Sequence, residues 1–397
     1  MAKYTPFHPR TGPLMAESQA WRRWAGNFVA SAYDVSHDRE YAALRNAAGL
    51  IDVSPLWKYR IEGPDAARLL DRVVTRDVRK CQVGQVLYTP WCDSAGKVIE
   101  DGTVSRLGEN TFRMTAADPS LRWLTLNAVG MNVTIDDVSL ETAALALQGP
   151  RARDILGEAT SGAVTDLKYF RVVDATLGGV RVQVSRTGYT GDLGYELWIP
   201  EGGAVAVWDA LIDAGANYGL TPAGIWALDV ARIEAGLIML DVDYVSSHRA
   251  ISPSQLSSPF ELSLGWAVSA GKGEFVGQRA LEVERAKGSP WQLVGIDVDW
   301  VSLEALYLEA GVPPRLPSVA FRSSVPLYGP EGRQVGYASS GCWSPLLKKF
   351  IALAHVEAAF AKAGTSLMIE VTVEHHRKKA KAVVAALPFF NPERKRS

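Results

Sequence analysis

The stretch from Val180 to Pro200, "VRVQVSRTGYTGDLGYELWIP", contains a Gly-x-x-Gly-x-x-Gly run that is followed at once by a carboxylate, Glu196. On both sides of the glycines, apolar and polar residues alternate, which is the period of a β-strand. The glycines therefore lie in the connection of a predicted β-hairpin. A dinucleotide site needs the order strand, glycines, helix, so that a helix N-terminus faces the pyrophosphate. The order of elements here excludes such a site.

The second strand of this hairpin has two different faces. Alternation places Glu196 and Trp198 on one face and Tyr195, Leu197 and Ile199 on the other. An ionised carboxylate only accepts hydrogen bonds, through two oxygens. Its best partner is a flat group with two adjacent N–H donors, and a pterin ring presents that pair. On this stretch alone, a solvent-exposed strand face remains the alternative for Glu196.

The bulk composition indicates a folded protein of more than one domain. Its 397 residues exceed one ordinary core, and 47% are hydrophobic and 21% charged. Lys and Arg total 42 against 43 Asp and Glu, whereas a nucleic-acid-binding protein usually carries a basic excess. The three cysteines, Cys81, Cys92 and Cys342, are far apart. We therefore expect no nucleic-acid partner and no disulfide framework.

The residue pattern also disfavours a metal-binding protein and a membrane protein. The six histidines are scattered, and the only adjacent pair, His375 and His376, would point apart on a strand, so no metal site is expected. The sequence has no uninterrupted apolar run of about 18 residues, the length needed to cross a bilayer. We expect no membrane association and a cytoplasmic location.

The order of strand and helix patterns predicts an α+β fold. Strands alternate with helices through residues 1–285, and short strands dominate residues 286–397, which is typical of a small β-barrel or sandwich. The segments "QVLYTPWCD" and "VIEDGTVSRL" are predicted to be paired strands. The segment "TPAGIWALDVARIEAGL" is predicted to be a helix with Thr221 as N-cap and Pro222 at its first position.

Several blocks, taken together and in order, carry a family resemblance. "SRTGYTGDLGYELWIP" resembles the signature of the tetrahydrofolate-dependent aminomethyltransferases, the glycine-cleavage T-protein and its relatives. Other matching blocks are "NAAGLIDVSPLWKYRIEGPDAARLLDRVVTRDV", "GQVLYTPWCDSAGKVIEDGTVSRLGENTFRM", "LALQGPRA", "ARIEAGLIMLDVDY", "PFELSLGWAV" and "GYASSGCWSPLLKKFIALAHV". The resemblance covers roughly residues 40 to 395. It implies a three-lobed cloverleaf around a central folate funnel, with a β-barrel-like C-terminal domain over 286–397 and two interleaved lobes over 1–285.

The resemblance also implies roles for individual residues. Asp101, at the end of "GKVIED", matches the family's catalytic aspartate, and Glu196 matches the glutamate that holds the pterin. Tyr189, Arg232 and Tyr88 match positions that line the folate site. A carboxylate near the reacting nitrogen can orient it and handle its proton.

The sequence alone leaves two questions about the catalytic group open. Glu100 is adjacent to Asp101, and alternation allows only one of the two carboxylates to face the funnel. Tyr244, in "DVDY", follows the Arg232 helix and is a further candidate for the site.

The choice within the family depends on departures from its pattern, one of which follows the second block. Glycine-cleavage members carry an asparagine after the third strand of the second block, where "MTAADPSLRW" places Ala117 or Asp118. This segment resembles folate-dependent demethylases, which move a methyl group from a small methylated donor to tetrahydrofolate. The sequence therefore favours a demethylase. The first alternative is a glycine-cleavage aminomethyltransferase acting on an aminomethyl-lipoyl carrier protein.

The second alternative is a non-catalytic folate-binding assembly factor. Such relatives carry a "K-G-C-[FY]-x-G-Q" motif, and this chain has Glu274 in place of the cysteine.

Overall fold

Within residues 3–397, which the computed structural model describes, the strands form three open sheets and one closed barrel. Among the helices of residues 3–397, none combines the length and the hydrophobicity that a membrane span requires. The cytoplasmic location stays a prediction. The helices are α1 (His8–Leu14), α2 (Asp38–Asn46), α3 (Ala66–Val73), α4 (Leu121–Asn127), α5 (Ala152–Ala159), α6 (Ala204–Gly215), α7 (Ile225–Glu234), α8 (Gln278–Lys287) and α9 (Trp300–Glu309).

The first lobe is built on a six-stranded sheet. Its strands are β4 (Ala48–Asp52), β10 (Thr142–Gln148), β11 (Val172–Leu177), β12 (Val180–Ser185), β13 (Gly194–Pro200) and β14 (Leu220–Pro222), in the order β11-β12-β13-β10-β4-β14. The apolar faces of α5 and α6 pack on this sheet and close its core. β12 and β13 pair antiparallel, with Ser185 opposite Glu196, which confirms the predicted hairpin around the glycine run.

The second lobe is built on a five-stranded sheet covered by α3 and α4. Its strands are β5 (Trp57–Glu62), β6 (Val86–Cys92), β7 (Val98–Arg106), β8 (Thr111–Ala116) and β9 (Thr134–Asp137), in the order β6-β7-β8-β5-β9. The predicted strand pair is confirmed as β6 and β7. The chain leaves the first lobe after β4 and returns to it at β10, so the two lobes are interleaved in sequence.

The third lobe is the closed barrel that the C-terminal pattern predicted. Its strands are β15 (Trp291–Val298), β16 (Val325–Tyr328), β17 (Gln334–Ser344), β18 (Lys349–Glu357), β19 (Ser366–Val373) and β20 (His376–Ala385), in the closed order β15-β18-β17-β16-β19-β20. Closure removes the free sheet edges. The predicted boundary between residues 285 and 286 falls inside α8, and the division into domains stays a prediction.

A small sheet at the beginning of the chain completes the fold. It contains β1 (Lys3–Tyr4), β2 (Trp21–Trp24) and β3 (Asn27–Ala30), in the order β1-β3-β2. One buried apolar cluster then joins the lobes to one another. It includes Val29 in β3, Trp198 in the first lobe, Leu228 in α7 and Leu353 in the barrel. The central cavity described below is lined by residues from β2, β13, α7 and β15, among others.

The predicted start of the helix that carries Arg232 was wrong. Thr221 and Pro222 belong to β14, an edge strand that pairs parallel with β4, where a proline is tolerated because one side of the strand needs no N–H donor. The N-cap is Gly224, whose N–H donates to Oε2 of Glu40 at 2.7 Å. A Cβ at this position would lie 2.4 Å from the carbonyl oxygen of Ser31, so only glycine fits.

Candidate active site

A central cavity of about 1400 Å³ lies where the lobes meet. This volume exceeds the roughly 300–1,000 Å³ of a typical ligand pocket, so the cavity has room for more than one small molecule. Four of the five predicted site residues line it: Tyr88, Asp101, Tyr189 and Glu196. The fifth, Arg232, does not.

Asp101 is held in the cavity by two phenols. Tyr88 donates a hydrogen bond of 2.8 Å to Oδ2, and Tyr244 donates one to Oδ1. Burial raises the pKa of Asp101 above its ordinary value, and the hydrogen bonds from Tyr244 and Tyr88 oppose that rise. The result is a fixed carboxylate, partly shielded from water, with its two oxygens oriented by residues from different parts of the chain.

Glu100 has a different role from its neighbour. Its side chain is fully buried and accepts hydrogen bonds from the backbone N–H groups of Ala117 and Asp118, the latter at 3.0 Å, and from Ser120 at 3.3 Å. Its carboxylate therefore ties down the loop that leads into α4. The strand alternation that the sequence predicted sends Asp101 into the cavity and Glu100 into the wall.

Glu196 lines the same cavity from β13, beside Trp198. Thr187 donates its hydroxyl to Oε2 of Glu196, and within residues 3–397 no protein donor reaches Oε1. Burial raises the pKa of Glu196, and the Thr187 hydrogen bond and the nearby Arg113 charge oppose the rise. One oxygen of a desolvated carboxylate is thus available to a ligand, next to an aromatic wall.

Arg113 is a residue that the sequence analysis missed. It comes from β8 of the second lobe and crosses to the first, where its guanidinium lies 4.2 Å from the centre of the Trp198 ring. Burial lowers the pKa of Arg113 to about 9, and the charge of Glu196 counteracts this effect. Its Nε and Nη2 atoms are buried without a protein partner among the described residues. Arg113 therefore lies behind the cavity wall, where it packs against the Trp198 ring and partly balances the charge of Glu196.

The glycine run is explained by Gln148, another residue that the sequence analysis did not single out. The side-chain amide of Gln148 donates to the carbonyls of Thr187 and Tyr195 at 3.3 and 3.2 Å. A Cβ on Gly188 would lie 2.0 Å from this amide, and a Cβ on Gly194 would lie 2.3 Å from it. The glycines leave the space that Gln148 needs to fix the loop between β12 and β13.

Tyr189, in this loop, extends across the cavity wall. Its hydroxyl donates to the carbonyl oxygen of Ile238, in the segment after α7, and burial raises the pKa of the phenol. The Tyr189 side chain is therefore fixed at one end by the loop backbone and at the other by the hydrogen bond of its hydroxyl. Its position fits the predicted role of bordering a bound ring.

Arg232 lies behind the cavity wall. It is fully buried in α7, pairs with Asp243 and, at 3.3 Å, with Asp229. Asp243 in turn accepts hydrogen bonds of 2.6 Å from Ser339 and Ser340 of the barrel. This arrangement joins α7 to the barrel, so the position of Arg232 fits a structural role, and its contact with folate stays a prediction.

Comparison with known proteins identifies the family. The family model described as the GCVT N-terminal domain matches residues 4–272, and the one described as the glycine cleavage T-protein C-terminal barrel domain matches residues 312–391. The chain belongs to the glycine cleavage T-protein family. Members of this family use tetrahydrofolate as the acceptor of the one-carbon unit, and this family member is a folate-dependent transferase.

Individual relatives agree with this assignment. The aminomethyltransferase of Halalkalibacterium halodurans is 33% identical over 356 residues, which are 88% of this chain and 89% of the relative. That of Moorella thermoacetica is 34% identical over 361 residues, 90% of each chain. The crystal structure of the glycine cleavage system aminomethyltransferase T from Bartonella henselae superposes with a TM-score of 0.83 at 25% identity, covering 98% of this chain and 99% of that one.

The comparisons change the order of the functional alternatives. The sequence favoured a demethylase, whereas the relatives found are named aminomethyltransferases, so the first alternative fits better. The cloverleaf fold and its C-terminal barrel are confirmed. The non-catalytic alternative is set aside, because this family member is an enzyme.

Proposed function

We propose that this T-protein relative transfers the one-carbon unit of an aminomethyl group to tetrahydrofolate. The observation that supports this most directly is that two carboxylates, Asp101 and Glu196, face one cavity in two different environments. Asp101 has both oxygens hydrogen-bonded by tyrosines, whereas Glu196 has one oxygen available. The two acids therefore suit different tasks, one at the reacting atoms and one in binding.

The residues around Glu196 fit a pterin. The ring of tetrahydrofolate carries adjacent N–H donors on one edge, which match a desolvated carboxylate. Its flat faces match the aromatic surfaces of Trp198 and Tyr189 in the cavity wall. When bound, tetrahydrofolate supplies the nitrogen nucleophile that accepts the one-carbon unit. We assign Glu196 to hold the pterin edge and Tyr189 to border the ring.

Asp101 is assigned to the reacting centre. A fixed carboxylate beside the donor's nitrogen and carbon can stabilise positive charge that develops there, and it can hold a proton released during the transfer. Tyr88 and Tyr244 keep Asp101 in place, and the partly buried site limits competition from water. Asp101 is therefore proposed as the catalytic residue, and the two tyrosines as positioning residues.

We propose that the donor is the aminomethyl group of a lipoyl carrier protein. The support is that the structurally similar protein from Bartonella henselae is a glycine cleavage system aminomethyltransferase. The cavity volume is compatible with a lipoyl arm entering beside the folate. A carrier protein rather than a nucleic acid is also consistent with the net charge of −1.

One observation keeps demethylation as a second candidate. Ala117 and Asp118, one of which occupies the position where the family resemblance places an asparagine, both line the cavity, and Asp118 is paired with Arg249 at 2.9 Å. Neither residue offers the side-chain amide that glycine-cleavage members offer there. A small methylated donor would suit such a wall, because it needs no amide partner.

The two candidates form different products. Incubation with tetrahydrofolate and an aminomethyl-lipoyl carrier protein should give methylene-tetrahydrofolate and ammonia, and Asp101→Asn should form both about 10²- to 10⁴-fold more slowly. Incubation with tetrahydrofolate and a panel of N-methyl, S-methyl and O-methyl donors should give no methyl-tetrahydrofolate. Methyl-tetrahydrofolate from any of these donors, with no product from the carrier protein, would replace the first candidate by the second.

A further inference from the structure

A chain of buried side chains leads to the carboxylate of Glu196. The indole Nε1–H of Trp198 donates to Oγ of Ser185 at 3.1 Å, and Oγ of Ser185 lies 2.9 Å from Oγ1 of Thr187. Thr187 in turn donates to Oε2 of Glu196. Trp198, Ser185 and Thr187 are all buried. Because Ser185 is opposite Glu196 in the register of β12 and β13, the chain of hydrogen bonds runs across the hairpin.

The two ends of this chain fix the direction of its hydrogen bonds. An indole N–H can only donate a hydrogen bond, and an ionised carboxylate can only accept one. The hydroxyl proton of Thr187 is used on Glu196, so Oγ1 of Thr187 accepts from Ser185. A second acceptor for Ser185, the carbonyl oxygen of Glu196, lies further away, at 3.3 Å. Every donor in the chain therefore points toward the carboxylate, and successive hydrogen bonds of this kind polarise one another.

A cation lies at the far end of the chain. The guanidinium of Arg113, on β8 of the second lobe, lies 4.2 Å from the centre of the Trp198 ring. Its Nη1 donates to Oε1 of Gln183, which is opposite Trp198 in the strand pair. A cation over an aromatic face draws electron density from the ring, so the indole N–H becomes a stronger donor. Arg113 therefore strengthens the first hydrogen bond of the chain.

We propose that Ser185 is a positioning residue for the pterin site. Ser185 and Thr187 hold Oε2 of Glu196, so the carboxylate does not rotate and Oε1 stays available to the ligand. A carboxylate that is fixed before the ligand arrives loses less conformational freedom on binding than a mobile one. The proposal rests on the proposed function, in which Glu196 holds the edge of the pterin. Ser185 itself does not line the cavity and acts on the ligand through Thr187 and Glu196.

Calorimetry of tetrahydrofolate binding tests the role of Ser185. Ser185→Ala should raise the Kd about three- to tenfold, the usual contribution of one hydrogen bond. In a Glu196→Gln protein the same substitution should change the Kd by less than about twofold, because a positioning residue has little effect once the group that it positions is gone. The control is Ser54→Ala, since Ser54 is also buried, accepts from the N–H of Ala144 in the same sheet at 3.1 Å and does not line the cavity. This control should leave the Kd unchanged.

The pH dependence of binding separates positioning from a merely structural role. Burial raises the pKa of Glu196, and the Thr187 hydrogen bond and the Arg113 charge oppose the rise. A weaker hydrogen bond to the ionised carboxylate raises this pKa further. The folate affinity of Ser185→Ala and Thr187→Val should therefore begin to fall at a higher pH than that of wild type. Thr187→Ser keeps the hydroxyl and should keep the wild-type profile. Further charged side chains near Arg113, unchanged in all these variants, are Lys58 and Arg60 on β5 and Asp174 on β11.

Three results would overturn the role of Ser185. The first is a wild-type Kd and pH profile in Ser185→Ala, and the second is an equal loss of affinity in the wild-type and Glu196→Gln backgrounds. The third is a Thr187→Ser protein as impaired as Thr187→Val. Weak binding by Glu196→Gln together with normal binding by Ser185→Ala would refute this role and leave the proposed function in place. An unchanged Kd in Glu196→Gln alone would refute both.

Discussion

Tyr88 donates a hydrogen bond of 2.8 Å to Oδ2 of Asp101 from the neighbouring strand. In the register of β6 and β7, Tyr88 is opposite Thr103, two residues from Asp101, so the two side chains form a diagonal pair on one face of the sheet. Tyr244 reaches the other carboxylate oxygen from a position 143 residues further along the chain. A local strand pair and one long-range contact together fix the group that we assign to catalysis.

Asp101→Asn should remove most activity and little folate affinity. We expect kcat to fall by about 10²- to 10⁴-fold, the usual contribution of a positioned acid or base. The Kd of tetrahydrofolate, measured by calorimetry, should change only a few-fold. The matched control is Glu100→Gln on the same strand, which should keep kcat within a few-fold, because Glu100 binds the backbone N–H groups of Ala117 and Asp118 and does not line the cavity. An Asp101→Asn enzyme with full kcat would refute the assignment.

The same variant also tests the effect of burial on Asp101. Its pKa is raised in the folded protein, so the folded state holds the proton more tightly than the unfolded state does. The stability associated with this proton is present at low pH and is lost as pH rises through the raised pKa. At pH 7, Asp101→Asn should therefore unfold at the same or a higher temperature than wild type. A clear loss of stability would mean that the carboxylate is needed for folding.

Glu196→Gln should chiefly weaken folate binding. Replacing the carboxylate by a neutral amide removes charge-assisted hydrogen bonds, and we expect Kd to rise about 10- to 100-fold. Because the pKa of Glu196 is raised, wild-type affinity should fall as pH is lowered through that pKa, and the glutamine variant should lack this dependence. Glu201→Gln, just beyond the same strand and exposed, is the control. Equal affinities of Glu196→Gln and wild type would place the pterin elsewhere.

Removing either phenol from Asp101 should shift the pH profile of the reaction. The hydrogen bonds from Tyr88 and Tyr244 lower the pKa of Asp101, so Tyr88→Phe and Tyr244→Phe should each raise it. The acid limb of kcat/KM should then move to higher pH, because less of the carboxylate is ionised at a given pH. Tyr328→Phe removes a phenol that is bonded to Glu370 on the barrel and should leave the profile in place. An unmoved limb in both active-site variants would contradict the positioning role.

Gly188→Ala should destabilise the loop between β12 and β13. The added methyl group would meet the amide of Gln148 at 2.0 Å, and we expect a loss of about 1–3 kcal/mol of unfolding free energy in denaturant titration. Gly202→Ala is the matched control, since nothing lies within 4 Å of its Cβ position. Similar losses in both variants would show that the contact with Gln148 does not explain the glycine.

Arg232→Met should lower stability more than folate affinity. It leaves the carboxylates of Asp229 and Asp243 buried with one cation fewer, and the loss of one partner of a buried pair costs about 3–5 kcal/mol. Arg333→Met removes an exposed partner of Glu357 and should leave the unfolding free energy nearly unchanged. Folate affinity is measured by calorimetry at a temperature where the variant is folded. A more than tenfold loss of folate affinity at that temperature would support the predicted contact between Arg232 and folate.

Much of the site follows from local pattern. The alternation of residues 195–199 places Glu196 and Trp198 on one face, and the structure has both in the cavity wall. The same alternation separates Asp101 from Glu100, although only the structure decides which of them faces the cavity. The period of two in a strand is set by backbone geometry, so the sequence alone determines which side chains share a face.

The remaining features of the site are side-chain contacts between distant parts of the chain, and they depend on which strands and lobes pack together. Gln148 fills the space between Gly188 and Gly194 only because β10 pairs with β13, and Arg113 reaches Trp198 only because the second lobe packs against the first. Arg232 has the sequence context of a site residue, yet its buried partners hold it behind the wall. The sequence by itself determined the hairpin, the strand faces and the family. The tertiary structure alone decided the long-range partners, because their contacts depend on how separately folded lobes pack together.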